Sequence, residues 1–141
     1  MSEYDTDILT WSEHQSDLLR RFSRGEKVNA QIDWDNVAEE IESVGREQIH
    51  AVESLLFQAL LHWLKSQAWP RSLDADAWRL DSAQFRAQAA RRFVNSMRQR
   101  IDLADIYQDA RRLLPPSMGG RAASPVPDEC PFTLDQLLAR D

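Results

Sequence analysis

The sequence predicts an all-α protein: a bundle of four main helices, the second of them long, then a proline-rich loop and a short C-terminal helix. Three observations carry this. Large apolar residues recur at three- and four-residue spacings along most of the chain. Proline is absent before Pro70, and five of the six prolines fall within residues 115–131. No stretch alternates with the two-residue period of a strand, and no hairpin signal competes. With 141 residues the chain is expected to form a single domain around one core.

The first helix is read between Asp7 and Phe22, where Ile8, Trp11, Leu18, Leu19 and Phe22 form one apolar stripe and Gly25 supplies a stop. Asp33 caps the second, with Ile32 placed to staple against Val37. Val37, Ile41, Val44, Val52, Leu55, Leu56, Leu60, Trp63 and Leu64 then continue a single stripe to Pro70. Residues 34–68 at 1.5 Å each span roughly 52 Å, whereas a globule of this size is roughly 37 Å across. The helix is therefore expected to bend or break near Gly45, where glycine costs about 1 kcal/mol, or else to project and pair with another subunit.

Trp78, Leu80, Phe85, Ala89 and Phe93 outline a third helix capped by Ser72 or Asp74. Met97, Ile101, Ala104, Tyr107, Ala110, Leu113 and Leu114 outline a fourth, starting at Asn95 or Ser96 and ended by Pro115 and Pro116. Residues 115–131 read as a surface loop. Thr133 and Gln136 have the spacing of a capping box, and Phe132 is placed to staple onto Leu137 at the start of the last short helix.

A formal charge of −6 argues against a surface built to coat nucleic-acid backbones, so nucleic acid is not expected as a partner. The acidity is concentrated: residues 1–70 hold 13 acids and 6 bases, a net of −7, while residues 71–141 hold 10 acids and 11 bases, a net of +1. Cys130 is the only cysteine, so no intrachain disulfide is possible. Neither a signal peptide nor a membrane span is legible, since the densest apolar stretch, 51–64, is shorter than the ~20 residues a bilayer requires. A cytoplasmic location and no membrane contact are the expectations.

Asn36, Ala38, Glu39, Glu40, Ile41, Glu42 and Gly45 resemble the Asn-Leu-Ala-Glu-Glu-Ile-Glu-x-Met-Gly signature of a bacterial family called domain of unknown function 29. Val37 and Val44 stand where that signature has Leu and Met. His62, Leu64, Lys65 and Pro70 are similar to its His-Leu-Leu-Lys segment, and Cys130, Pro131 and Phe132 to its late Cys-Pro-Tyr. Tyr4, Asp5, Trp11 and residues 18–20 fit its opening, so the likeness covers nearly the whole chain. Ser66 departs from a common aromatic and Ala77-Trp78 from a common Ser-Trp. The resemblance implies an all-helical fold and a bacterial source, and it carries no catalytic residue, substrate or cofactor.

Two clusters carry residue types suited to chemistry. Glu47 and His50 form a Glu-x-x-His pair, the spacing by which helix bundles place two metal ligands on one face. No second copy of the motif exists, so a solvated helix face is the simpler reading and no metal or other cofactor is expected. Glu39 and Glu42 share a face and, with Glu47, His50 and His62, form the candidate polar cluster for an acid–base or ion site. Against this, Glu39, Glu40, Glu42 and Glu47 suit the early turns of a helix, where the dipole favours negative charge. His62, among Leu60, Leu61, Trp63 and Leu64, reads most simply as a core-edge histidine bonded to a carbonyl.

Arg86, Arg91, Arg92, Arg98 and Arg100 form the candidate basic patch, with no acid between Asp81 and Asp102. It would contact RNA or an acidic protein, or simply face an acidic helix or solvent. Cys130 lacks a histidine partner and reads as a packed thiol, and the five tryptophans as core or interface anchors. Phosphate loops, zinc-type cysteine spacing and hydrolase elbows are missing. The leading expectation is a non-enzymatic interaction or regulatory module that binds a protein partner or self-associates through the long helix. The competing one is a metal-binding or catalytic bundle using Glu39, Glu42, Glu47, His50 and His62.

Overall fold

The computed structural model describes residues 1–139, and its regular structure is helical apart from one hairpin of two two-residue strands. The helices are α1 (Glu3–Thr6), α2 (Ile8–Ser23), α3 (Trp34–Ala68), α4 (Ala75–Arg92), α5 (Leu103–Arg112) and α6 (Leu134–Leu138). Four of them are the main helices expected. The helix α1 adds to the expected set, and Ser2 and Asp5 form a reciprocal capping box at its start. Single 3₁₀ turns occupy Asn29–Gln31 and Asn95–Met97. The chain forms two compact units, Met1–Arg46 and a second from Glu47 onward. Through both runs α3, which is α-helical without interruption across Gly45.

In the first unit, Asp7 Oδ1 accepts the Thr10 amide at 3.1 Å and so caps α2. Trp11 is its one buried residue, and Gly25, at φ +95°, turns the chain just past the helix end. Val28 and Ile32, in the connection to α3, are buried with it.

In the second unit, Val52, Leu56, Leu60 and Leu64 of α3 pack with Ala89, Met97, Ile101, Ile106, Tyr107, Ala110 and Leu137 as the core. The two small residues Ala75 and Ala89 bracket Ser82 at seven-residue intervals, and all three are buried. Small side chains at that spacing let α4 approach α3 closely, and Ser82 Oγ donates to the Ala59 carbonyl at 2.7 Å. Leu80, expected in the core stripe, is 59% exposed. It lies two residues, about 200° of helix, away from Ser82.

The fourth helix begins later than expected. Asn95 and Ser96 open a 3₁₀ turn instead, and the α-helix starts where Asp102 accepts the Asp105 amide at 3.1 Å. Leu113, assigned to its stripe, is the exposed C-cap residue. At α6 the capping box is present, with Thr133 Oγ accepting from the Gln136 amide at 3.1 Å and Gln136 Oε1 from the Thr133 amide at 2.8 Å.

The proline-rich loop holds a feature that the sequence reading missed. Ser117–Met118 (β1) and Arg121–Ala122 (β2) pair antiparallel, with Gly119 and Gly120 at φ +58° and +78° between them. Two positive φ values make a tight hairpin turn for which a Gly-Gly pair is well suited. The loop is fastened along its length. Trp69 Nε1 donates to the Arg121 carbonyl at 3.0 Å and the Ser124 amide to the Ala68 carbonyl at 2.8 Å. Tyr107 Oη donates to the Pro127 carbonyl at 2.6 Å, and the Arg111 guanidinium meets Asp128 at 2.8 Å. The Trp63 and Phe132 rings make an edge contact at 4.9 Å. No helix among the described residues is long and apolar enough to cross a membrane.

Candidate interaction surface

The first unit holds the N-terminal part of α3 by polar contacts on one side. Asp33, just before the helix, accepts from Trp11 Nε1 at 3.0 Å and from Asn36 Nδ2 at 2.8 Å, while its own amide donates to Gln15 Oε1 at 2.7 Å. The Asn36 and Trp11 hydrogen bonds, in that order, hold the Asp33 carboxyl below the usual carboxylate range. One turn beyond Asn36, Glu40 accepts from Tyr4 Oη at 2.6 Å, and Tyr4 packs edge-on against Trp11 at 4.8 Å. That bond to Glu40, with lesser contributions from desolvation and nearby carboxylates, pushes the Tyr4 phenol up to about 12.

Asn36, Glu40 and Ser43 thus lie half-buried on the inner side of the helix. Trp34, Ala38, Ile41 and Gly45 recur at i, i+4, i+7 and i+11 on the opposite side, and all four are exposed. Ile41 is 68% exposed and the neighbouring Val44 59%. Both belong to the apolar stripe that the sequence places in the core, and they stay outside it for a physical reason. From Val52 onward α4, α5 and α6 cover the stripe, whereas in the first unit Tyr4 and Trp11 engage the polar side and leave the apolar side bare. Trp34, half-exposed, extends the patch through an edge contact with the half-exposed Phe22 at 5.9 Å.

An acidic flank borders this face. Asp35, Glu39 and Glu42 stand on it with Arg46, which bonds Glu39 at 2.7 Å and lies 3.8 Å from Glu42. Glu39 and Glu42 therefore share one guanidinium rather than an empty ion site. Sequence reasoning had the necessary signal in the Trp34–Ala38–Ile41–Gly45 spacing but merged it with the stripe that begins at Val52.

The other predicted residues are placed as follows. Glu47 and His50 are exposed on α3. His62 Nδ1 lies 2.8 Å from the Gln58 carbonyl, with Nε2 3.9 Å from Asp81 and the ring 5.3 Å from Phe85. Among the described residues no group of three or more His, Cys, Asp or Glu side chains is arranged to hold a metal ion.

The basic patch is not one surface. Arg86 donates to the Leu137 and Gln136 carbonyls at 3.1 and 2.8 Å, satisfying the end of α6. Arg98 pairs with Asp135 at 2.6 Å and lies over the Phe93 ring at 5.3 Å. Arg91, Arg92 and Arg100 are exposed. Cys130 Sγ lies 3.4 Å from the Phe132 carbonyl, and burial pushes its thiol up, away from a reactive thiolate.

Fold and surface together define an all-α protein that presents an uncovered helix face. The chain belongs to the family described as Domain of unknown function DUF29, whose pattern matches residues 3–141. It is also similar to an alpha-helical protein of unknown function from Rhodospirillum rubrum, known from a crystal structure. The two share 24% identity with a TM-score of 0.65, over 100% of this chain and 92% of that one. That likeness concerns the fold alone. No match was found among curated proteins.

Proposed function

We propose that this chain is a non-enzymatic protein-interaction module that docks an amphipathic helix with a basic flank on the Trp34–Ala38–Ile41–Gly45 face of α3. The observation that carries the reading is Ile41, a β-branched aliphatic residue 68% exposed in the middle of a regular helix. Burying such a side chain stabilises a complex by about 1.5–3 kcal/mol. Ala38 and Gly45 beside it allow a partner helix to approach closely, and a Cβ at Gly45 would meet nothing within 4 Å beyond its own stretch of helix.

Charge selects the occupant. The flank of Asp35, Glu39, Glu42 and Arg46 is net acidic, and the first unit as a whole carries 11 acids and 5 bases, a net of −6. A cationic helix complements that field. A second copy of the chain would bring another acidic flank, so self-association through α3 is disfavoured at low ionic strength.

The test uses two synthetic helical peptides with the same leucine stripe, one flanked by lysine and one by glutamate, titrated by calorimetry. The lysine peptide is expected to bind, more weakly as salt rises, and Ile41→Glu to weaken it by about tenfold or more with no loss of helicity. Equal binding of both peptides, or indifference to Ile41→Glu, overturns the proposal. A dimer seen by light scattering and dissolved by Ile41→Glu would replace it with self-association.

A further inference from the structure

We propose that the second unit carries a ligand site unrelated to the helix-docking face: a cleft for a small organic oxyanion, a phosphate monoester or a carboxylate, gripped by Arg71 and Arg121. The cleft has a volume of about 670 Å³, within the range of small-molecule sites. One wall is the end of α3 and the turn that follows it, Ala68 to Asp74. The other is the β1–β2 hairpin and its exit to Ser124.

The two walls are fixed to each other rather than loosely apposed. The Trp69 indole donates across the gap to the Arg121 carbonyl at 3.0 Å, and the Ser124 amide donates to the Ala68 carbonyl at 2.8 Å. The cleft is thus formed before any ligand arrives, which reduces the ordering cost of binding.

Its lining has a defined chemistry. Arg71 and Arg121 both line it, and neither guanidinium pairs with a carboxylate among the described residues. Asp74 is the one acidic lining residue, so the lining is net cationic on a chain of formal charge −6. Guanidinium groups offer planar pairs of N–H donors that match carboxylate and phosphate oxygens. Ser72 adds a hydroxyl, and Trp69, Pro70 and Met118 supply apolar surface for the organic part.

The experiment titrates the full chain with phenyl phosphate and, separately, with benzoate, followed by amide chemical shifts at constant ionic strength. Saturable shifts confined to residues 68–74 and 117–124 are expected from at least one probe. Phenyl phosphate acting alone identifies a phosphate site, and benzoate acting alone a carboxylate site. The double variant Arg71→Ala/Arg121→Ala is expected to lose about tenfold or more in affinity, while the exposed pair Arg91→Ala/Arg92→Ala leaves it unchanged. Arg121 holds the Trp69 bond through its main chain, so the double variant keeps the cleft walls, and unchanged amide dispersion verifies this. Absence of saturable shifts up to about 10 mM of either probe, or an equal effect of the Arg91/Arg92 variant, overturns the proposal.

Discussion

Replacing Gly45 with alanine separates what the fold needs from what the docking face needs. Gly45 is interior to α3 and has no left-handed φ, unlike Gly25, Gly119 and Gly120 at +95°, +58° and +78°. A Cβ added there meets nothing within 4 Å beyond its own stretch of helix, so alanine introduces no clash and gains the interior-helix preference, about 0.8–1.0 kcal/mol. At about 2.1 cal/mol/K of unfolding entropy per residue, a 141-residue cooperative transition carries roughly 0.3 kcal/mol/K, so the gain corresponds to a rise in Tm of about 3 °C. In urea the midpoint should move upward by about 0.3–1 M at an unchanged slope. The same methyl projects from the proposed docking face and should weaken the lysine-flanked peptide. Stability and binding are thus expected to change in opposite directions. A midpoint that falls or stays put would show that residue 45 is not in regular, uncrowded helix, and the reasoning about α3 would fail with it.

Tyr107→Phe should destabilise the second unit by about 1–2 kcal/mol, because it removes the Tyr107 hydrogen bond and leaves the Pro127 carbonyl unpaired beside a buried ring. Urea unfolding reads the loss, and limited proteolysis should cut residues 115–131 sooner. Asp33 has a folded-state pKa held below the ordinary carboxylate value, so it contributes stability that is present above that value and lost as pH falls through the depressed one. Urea midpoints measured down the acid range should therefore decline less steeply in Asp33→Asn; identical slopes in both proteins would refute the assignment. Tyr4 behaves oppositely: its raised pKa of about 12 gives stability present below the ordinary phenol value of 10 and lost as pH climbs through 12. Ultraviolet titration of Tyr4→Phe against the parent should remove the late-ionising phenol.

The sequence by itself determined where most helices begin and stop, because those signals are short-range. Asp7 and Thr133 accept amides three residues ahead, Pro70 and Pro115 follow helix ends, and Gly25 turns the chain after α2. The family resemblance was legible for a related reason, since its motifs are contiguous stretches of chain. Tertiary structure alone decided which face of each helix is covered. Ile41 and Leu60 belong to one apolar pattern in the sequence, yet the first is bare and the second enclosed, because coverage depends on elements distant in the chain. Long-range bonding likewise gave Arg86 to the carbonyls of α6 rather than to a basic patch, and tied the Gly119–Gly120 hairpin to Trp69. The later start of α5 belongs with these: Asn95 and Asp102 are both plausible caps by local chemistry, and packing of Met97 and Ile101 into the core accompanies the choice of Asp102. Periodicity reports that a helix has an apolar face, and only the arrangement of its neighbours says whether that face is core or surface.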